Sequence, residues 1–193
     1  MKKRFRNTLV LFAFIFCLTS CQPGGGDFVP IPQENTTLES YNDKKDVTQV
    51  YNDEQVLLKM HGYWDVENGA SSFFIEITNK TQKNLVIEPN GVGFNTNLGE
   101  EIVSNEITHT IRGNPPGENA GNQKLKQAKL ENGKIKIESG QKIELDTGFY
   151  LNIKSFSKSK SYFLGKEVRV EIPIKFNGQE KIYKFAFKFD NYQ

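Results

Sequence analysis

Thiols are scarce in this 193-residue chain: Cys17 and Cys21 are its two cysteines, and both lie in the first 21 residues. Residues 22–193 therefore have no disulfide and no thiolate metal centre available to them. Histidine is equally sparse, at His61 and His109, and methionine occurs twice. Met60-His61 offers the thioether and imidazole that suit Cu(I), but copper carriers need more such ligands than Met60, His61 and His109 supply. No Gly-x-Ser-x-Gly elbow occurs, and no phosphate-cradling glycine loop leads into a helix. Asn90, Asn95, Asn97 and Glu100 make an oxygen-rich stretch without EF-hand spacing. Asp65, Glu67, Glu100 and Glu101 are the nearest approach to a paired set of carboxylates. These absences leave no reactive constellation, so no catalytic residue, cofactor or metal is expected, and the chain is not expected to be an enzyme.

Long apolar runs are also lacking. The longest, LVLFAFIFCL from Leu9 to Leu18, is apolar throughout but falls far short of the ~20 residues that cross a bilayer as a helix. It follows a basic start, Lys2, Lys3, Arg4 and Arg6, with no acid before Asp27. A basic start, a short apolar middle and small residues after it mark an export signal.

The end of that run is more specific. Leu18-Thr19-Ser20-Cys21 resembles the lipobox of bacterial lipoproteins. The resemblance implies a diacylglycerol on the Cys21 thiol, cleavage just before Cys21, and a membrane anchor that does not span the bilayer. Two or three acyl chains, at about 0.8 kcal/mol per buried methylene, hold a protein on a membrane where one does not. Gln22 is not the aspartate that retains such proteins at the inner membrane, so the outer membrane is the expected location if the source is Gram-negative. Residues 1–20 are thus expected to be the signal peptide.

Residues 21–46 contain Gly24-Gly25-Gly26, Pro23, Pro30, Pro32 and the polar run QENTTLES, and read as a flexible tether. Residues 47–193 remain as one domain, large enough for a core without disulfides. Four of the 25 basic residues belong to the leader, leaving 21 against 23 acids. That balance gives no support for nucleic-acid binding. The charge is uneven: residues 27–121 hold 6 basic and 15 acidic residues, residues 122–193 hold 15 and 8. A basic face toward anionic headgroups or polysaccharide is one use of such asymmetry; solvated strand faces are the other.

Period-two alternation dominates the body. Phe73, Ile75 and Ile77 form one row; Val168, Val170, Ile172, Ile174 and Phe176 form the longest; Tyr183, Phe185, Phe187 and Phe189 close the chain. Asn132-Gly133, Ser139-Gly140 and Asn177-Gly178 punctuate the rows as hairpin turns. Pro173 lacks an amide donor and marks an edge or a bulge. In LLKMHGYWDV, Trp64 and Tyr63 are expected on opposite faces of one strand, with Trp64 in the core. No helical stripe competes, although NQKLKQAKLENG leaves room for a short helical turn near 124–130. The pattern predicts an all-β fold, an antiparallel β-sandwich. SFFIEITNKTQKNLVIEP and SGQKIELDTGFYL resemble strands of immunoglobulin-like domains in bacterial envelope proteins, a resemblance that implies the fold and no functional residues.

One segment departs from the plain sandwich. Glu101 to Ile111 is a candidate for strand pairing, whereas RGNPPGENAGN, residues 112–122, is expected to be an exposed loop because two prolines and three glycines forbid a regular ladder. Its Arg112, Asn114, Pro115, Pro116, Glu118 and Asn119 are the candidate interaction residues, since binding usually resides on loops carried by a rigid scaffold. The expected function is a membrane-anchored envelope lipoprotein acting as a non-catalytic protein-interaction or assembly module. Its partners would be the membrane, through Cys21, and an envelope protein. Binding of a polysaccharide or small ligand is the alternative.

Overall fold

The computed structural model describes residues 25–40, 47–65, 70–97, 102–103, 110–113, 126–127, 131–151 and 160–190. The leader, Cys21 and residues 114–125 lie outside that set, as does His109. Among the described residues the strands are β1 Gly25–Pro30, β2 Thr36–Ser40, β3 Val47–Asn52, β4 Val56–Asp65, β5 Ala70–Asn79, β6 Leu85–Ile87, β7 Gly93–Thr96, β8 Ile102–Val103, β9 Thr110–Gly113, β10 Lys126–Gln127, β11 Ile135–Ile137, β12 Lys142–Leu151, β13 Glu167–Phe176 and β14 Gln179–Phe189. A one-turn helix, α1 Lys160–Phe163, precedes β13.

Every described ladder is antiparallel, and two sheets result. One runs β2-β3-β4-β5-β12-β9-β10, with β8 beside the end of β12. The other runs β14-β13-β6-β11, with β7 also on β13. The central strands β4-β5-β12-β9 against β14-β13-β6 reproduce, in chain order, the immunoglobulin arrangement of strands A, B, E, D facing G, F, C. The chain is an all-β antiparallel sandwich of immunoglobulin-like order.

Alternation builds the core. On β5 the residues Ser71, Phe73, Ile75, Ile77 and Asn79 are buried in strict alternation, because successive side chains of a strand point to opposite faces. Phe73, Ile75, Ile77, Val170, Ile172, Phe185 and Phe187 all lie in the single hydrophobic cluster between the sheets, as the sequence predicts. Trp64 is buried and its neighbour Tyr63 is exposed, again as expected. Asn177 and Gly178 take φ of 50° and 81°, the left-handed pair a two-residue hairpin requires. Pro173 sits opposite Ile182 of β14, between the stretches of β13 that pair with β6 and with β7. Its missing donor falls in that interval.

The tether expectation needs correction. Residues 25–30 and 36–40, placed by sequence within the flexible 21–46 segment, are strands, so the sandwich starts at Gly25 rather than residue 47. β1 belongs to both sheets: Gly25 to Asp27 pair with β4, and Phe28 to Pro30 pair with β14. Phe28 enters the core, stacked on Phe73 at 4.6 Å and edge-on to Phe189 at 4.7 Å. The glycine read as linker chemistry serves close approach instead. A Cβ on Gly26 would lie 1.8 Å from the Asp190 carbonyl oxygen, so only glycine lets β1 and the end of β14 meet there.

Three smaller corrections follow from pairing. Lys126-Gln127, expected in a helical turn, pair as β10 with β9. Arg112 and Gly113, expected to open the loop, are in β9 and bonded to β12, so their backbone is spent on the ladder. Of residues 101–111, β8 and the start of β9 are strand. Helix α1 escaped the sequence pattern because a single turn is too short to show a stripe; its Phe163 packs on Trp64 and Phe189.

Two substitutions test this core. Phe73→Ala should lower the unfolding free energy by about 3–5 kcal/mol in chemical denaturation. Gly26→Ala, which adds one methyl group, should cost about 1–3 kcal/mol or more because the obstacle is backbone.

Candidate functional site

The β1 strand defines two ends of the sandwich. Gly25, Asp65 and Asp190 lie at one end. The turns at 53–55, 80–84, 139–141 and 177–178 gather at the other, distal end. An open recess of about 610 Å³ occupies the outer face of the second sheet there. Gln82, Lys83, Asn84, Val86, Lys134 and Lys175 line it, with the Asn177-Gly178 turn at its rim.

The recess is built by register. Val86 on β6 lies opposite Lys136 of β11 on one side and Lys175 of β13 on the other, which sets two lysines across one apolar floor residue. Glu88, two residues on along the same face, accepts from Lys175 at 2.9 Å and sits 3.3 Å from Lys134. Those two ammonium groups hold the Glu88 carboxyl below its ordinary range, and Glu88 in turn raises Lys175. Lys83 stands exposed on the turn before β6. The surface thus combines cationic heads, side-chain amides and two counter-charges on Lys175, Glu88 and Glu180. It suits an acidic or polyhydroxylated partner rather than an apolar one.

Asn79 shapes this surface from beneath. It is fully buried, and its side-chain amide donates to the carbonyls of Lys83 at 2.7 Å and Ile137 at 3.0 Å. Its oxygen accepts from the Thr81 amide and hydroxyl, both at 2.9 Å. One side chain therefore folds the 80–84 turn and ties it to β11. The sequence marks this turn only as the polar NKTQKN; the local signal was an asparagine bonding its own backbone two residues on.

A clamp beside the recess joins the sheets. Asp53 on the β3–β4 turn accepts from the amides of Gln55 at 2.7 Å and Val56 at 2.8 Å, and from Lys181 of β14 at 2.8 Å. Lys80 adds bonds to Asn52 and to the Asp53 carbonyl. Lys181 also lies over the rings of Tyr183 at 4.9 Å and Tyr51 at 5.7 Å. Partial burial pushes the Asp53 carboxyl up, but Lys181 and the two amides together hold it below its ordinary value. The Asp53 bond raises Lys181, and burial raises the Tyr183 phenol so that it stays neutral. Asp53 and Lys181 satisfy each other, as a structural ion pair does.

A second recess, about 200 Å³, opens on the edge of β4 between β3 and β1. Asp27, Val47, Gly62 and Tyr63 line it with His61 and Phe74, whose rings stack at 5.1 Å. Tyr63 lies 5.9 Å from Phe74, so the rim is an aromatic shelf. Met60 and His61, paired in the copper reading, point to opposite faces: Met60 is in the core and His61 on this rim. Successive strand residues do not converge on one ion.

Of the candidate interaction residues, Arg112 is on β9, opposite Glu144 of β12, and Gly113 lies opposite Ile143 at the distal end. Asn114, Pro115, Pro116, Glu118 and Asn119 lie outside the described residues. Glu67, Glu100 and Glu101 do also, and of Asp65 only the backbone pairing is described. Asn90, Asn95 and Asn97 do not form a cage: Asn97 accepts from the Glu167 amide at 2.8 Å, while Asn95 is in β7.

No protein-family model matches the chain, and no curated protein matches it. Among solved structures it is similar to the GAE domain of GGA2p from Saccharomyces cerevisiae, at 9% identity and a TM-score of 0.28, over 83% of this chain and 99% of that one. At that score the fold assignment rests on the strand order above.

Two outcomes follow. Asn79→Ala should destabilise the protein by about 1–3 kcal/mol, since buried carbonyls lose their donors. Asp53 titrates in the folded state below its ordinary 3.8, so its contribution is complete above that value and lost as pH falls through the lower one. Asp53→Asn should therefore flatten the acid limb of a stability-versus-pH curve.

Proposed function

We propose that this chain is a bacterial envelope lipoprotein, anchored through lipidated Cys21, whose sandwich acts as a non-catalytic interaction module. The observation that carries the module is the distal recess: an open, rigidly framed surface of lysines and amides around Val86. Its chemistry suits reversible recognition of an acidic protein surface. The displaced carboxyls, Asp53 and Glu88, are engaged by lysines and are not poised to exchange protons with a substrate. β9 ends with Gly113 at the same distal end. With Gln22 after Cys21, the location proposed is the outer membrane where the source has one.

The His61–Phe74 shelf favours a second reading, polysaccharide binding, because aromatic faces beside a carboxylate suit a sugar ring. Its volume is below the ~300 Å³ at which small-molecule pockets usually begin, so the lysine recess takes precedence.

The test has two arms. Cys21→Ser should abolish acyl mass and release the protein from the membrane fraction; retention there without acylation sinks the anchor. A photoreactive side chain at Asn84 should cross-link an envelope protein in cells, and Lys83→Glu with Lys134→Ala should cut that yield severalfold without moving Tm. An unchanged yield removes the recess from the interaction.

A further inference from the structure

The pairing of β1 with β4 and β14 limits how far the sandwich can stand from Cys21. Cys21 and Gly25 are four residues apart, and Gly25 is already paired with Asp65. A fully extended chain gains at most about 3.6 Å per residue, so the anchor reaches about 14 Å at most. β4 and β14, ten and eleven residues long, both end beside β1. At about 3.3 Å per residue they carry the opposite turns roughly 30 Å further away.

Resting on the lipoprotein reading, we infer that the Gly25 end of the sandwich is a membrane-contacting surface and that the lysine recess faces away from the bilayer. The occupant of the near end is the lipid headgroup layer, because the link from the anchor leaves no room for a protein between them. Beside the acidic residues Asp27 and Asp190, several described residues there have chemistry that headgroups accept. Tyr150 is 43% and Tyr63 40% exposed on the outer face of the first sheet, in the registers next to the ends of β5 and β4. Tyr162 of α1 carries Lys166 over its ring at 5.8 Å, and Lys188 is exposed near the end of β14. Tyrosine and lysine are the side chains that settle at a membrane interface, with rings at headgroup level and ammonium groups reaching to phosphate. The distal end presents Lys83, Lys134 and Lys175 instead, held out where a soluble or opposing-surface partner meets them.

The absence of thiols beyond Cys21 gives a clean experiment. In the acylated full chain the Cys21 sulfur is blocked, so Tyr150→Cys and Lys83→Cys each create one labelling site. Each donor-labelled protein is incorporated in phosphatidylethanolamine–phosphatidylglycerol vesicles containing a headgroup-linked acceptor. Energy transfer should be severalfold greater from position 150 than from position 83. A flexible insertion of about 25 residues before Gly25, with an r.m.s. reach of roughly 25–30 Å, should reduce that difference. Equal or reversed transfer in a protein whose Cys21 carries acyl mass overturns this orientation and leaves the anchor standing. Absence of acyl mass on native Cys21 overturns both.

Discussion

One buried indole holds the two sheets in register at the Gly25 end. The Trp64 ring nitrogen donates to the carbonyl of Asp27 at 3.2 Å and to that of Asp190 at 3.0 Å. Those carbonyls belong to β1 and to the residue after β14, while Trp64 itself is on β4. A single donor therefore ties the first strand, the last strand and the opposite sheet. Asp190 completes the contact by donating its amide to the same Asp27 carbonyl at 3.0 Å. Gly26 and the packing of Phe28, Phe163 and Phe189 are consequences of holding three backbones this close.

The distal end is organised by a different currency, charge and amide bonding rather than aromatic packing. Asn79 fixes the turn that bears Lys83, and Asp53 with Lys181 fixes the hairpins on either side of the core. Cross-strand pairing continues on the outer face, where Lys184 meets Glu171 at 3.1 Å and Lys175 meets Glu180 at 3.7 Å. Exposed pairs of this kind contribute little stability.

Alternation made the core legible from the residues alone, since strands with one buried face must repeat every second position. Phe73, Ile75, Val170 and Phe187 could be assigned inward without any knowledge of pairing, and the Asn177-Gly178 turn gave the β13–β14 register. What stayed hidden lacked periodicity. β1 reads GGDFVP, with one large apolar side chain in the core, so its composition is that of a linker; its partners are more than thirty residues away on one side and more than a hundred and fifty on the other. β10 is two residues long, and α1 offers one buried ring. The recess was hidden for a related reason. Val86, Lys134 and Lys175, which line it, are scattered in sequence and come together only through the pairing of β6 with β11 and β13, while Pro115-Pro116 stand out by local composition.

The pairing of Phe28 with Phe189 also sets an order of events during folding. Contacts so distant in the chain close late, because the entropy of the intervening loop must be overcome before they yield any return. The hairpins β4–β5 and β13–β14 are local and are free to form early. The first strand must wait for the last. On the export reading proposed above, a chain threaded across a membrane from its amino end would leave β1 without its second partner until β14 emerged. Closure of the core would then follow the passage of β14.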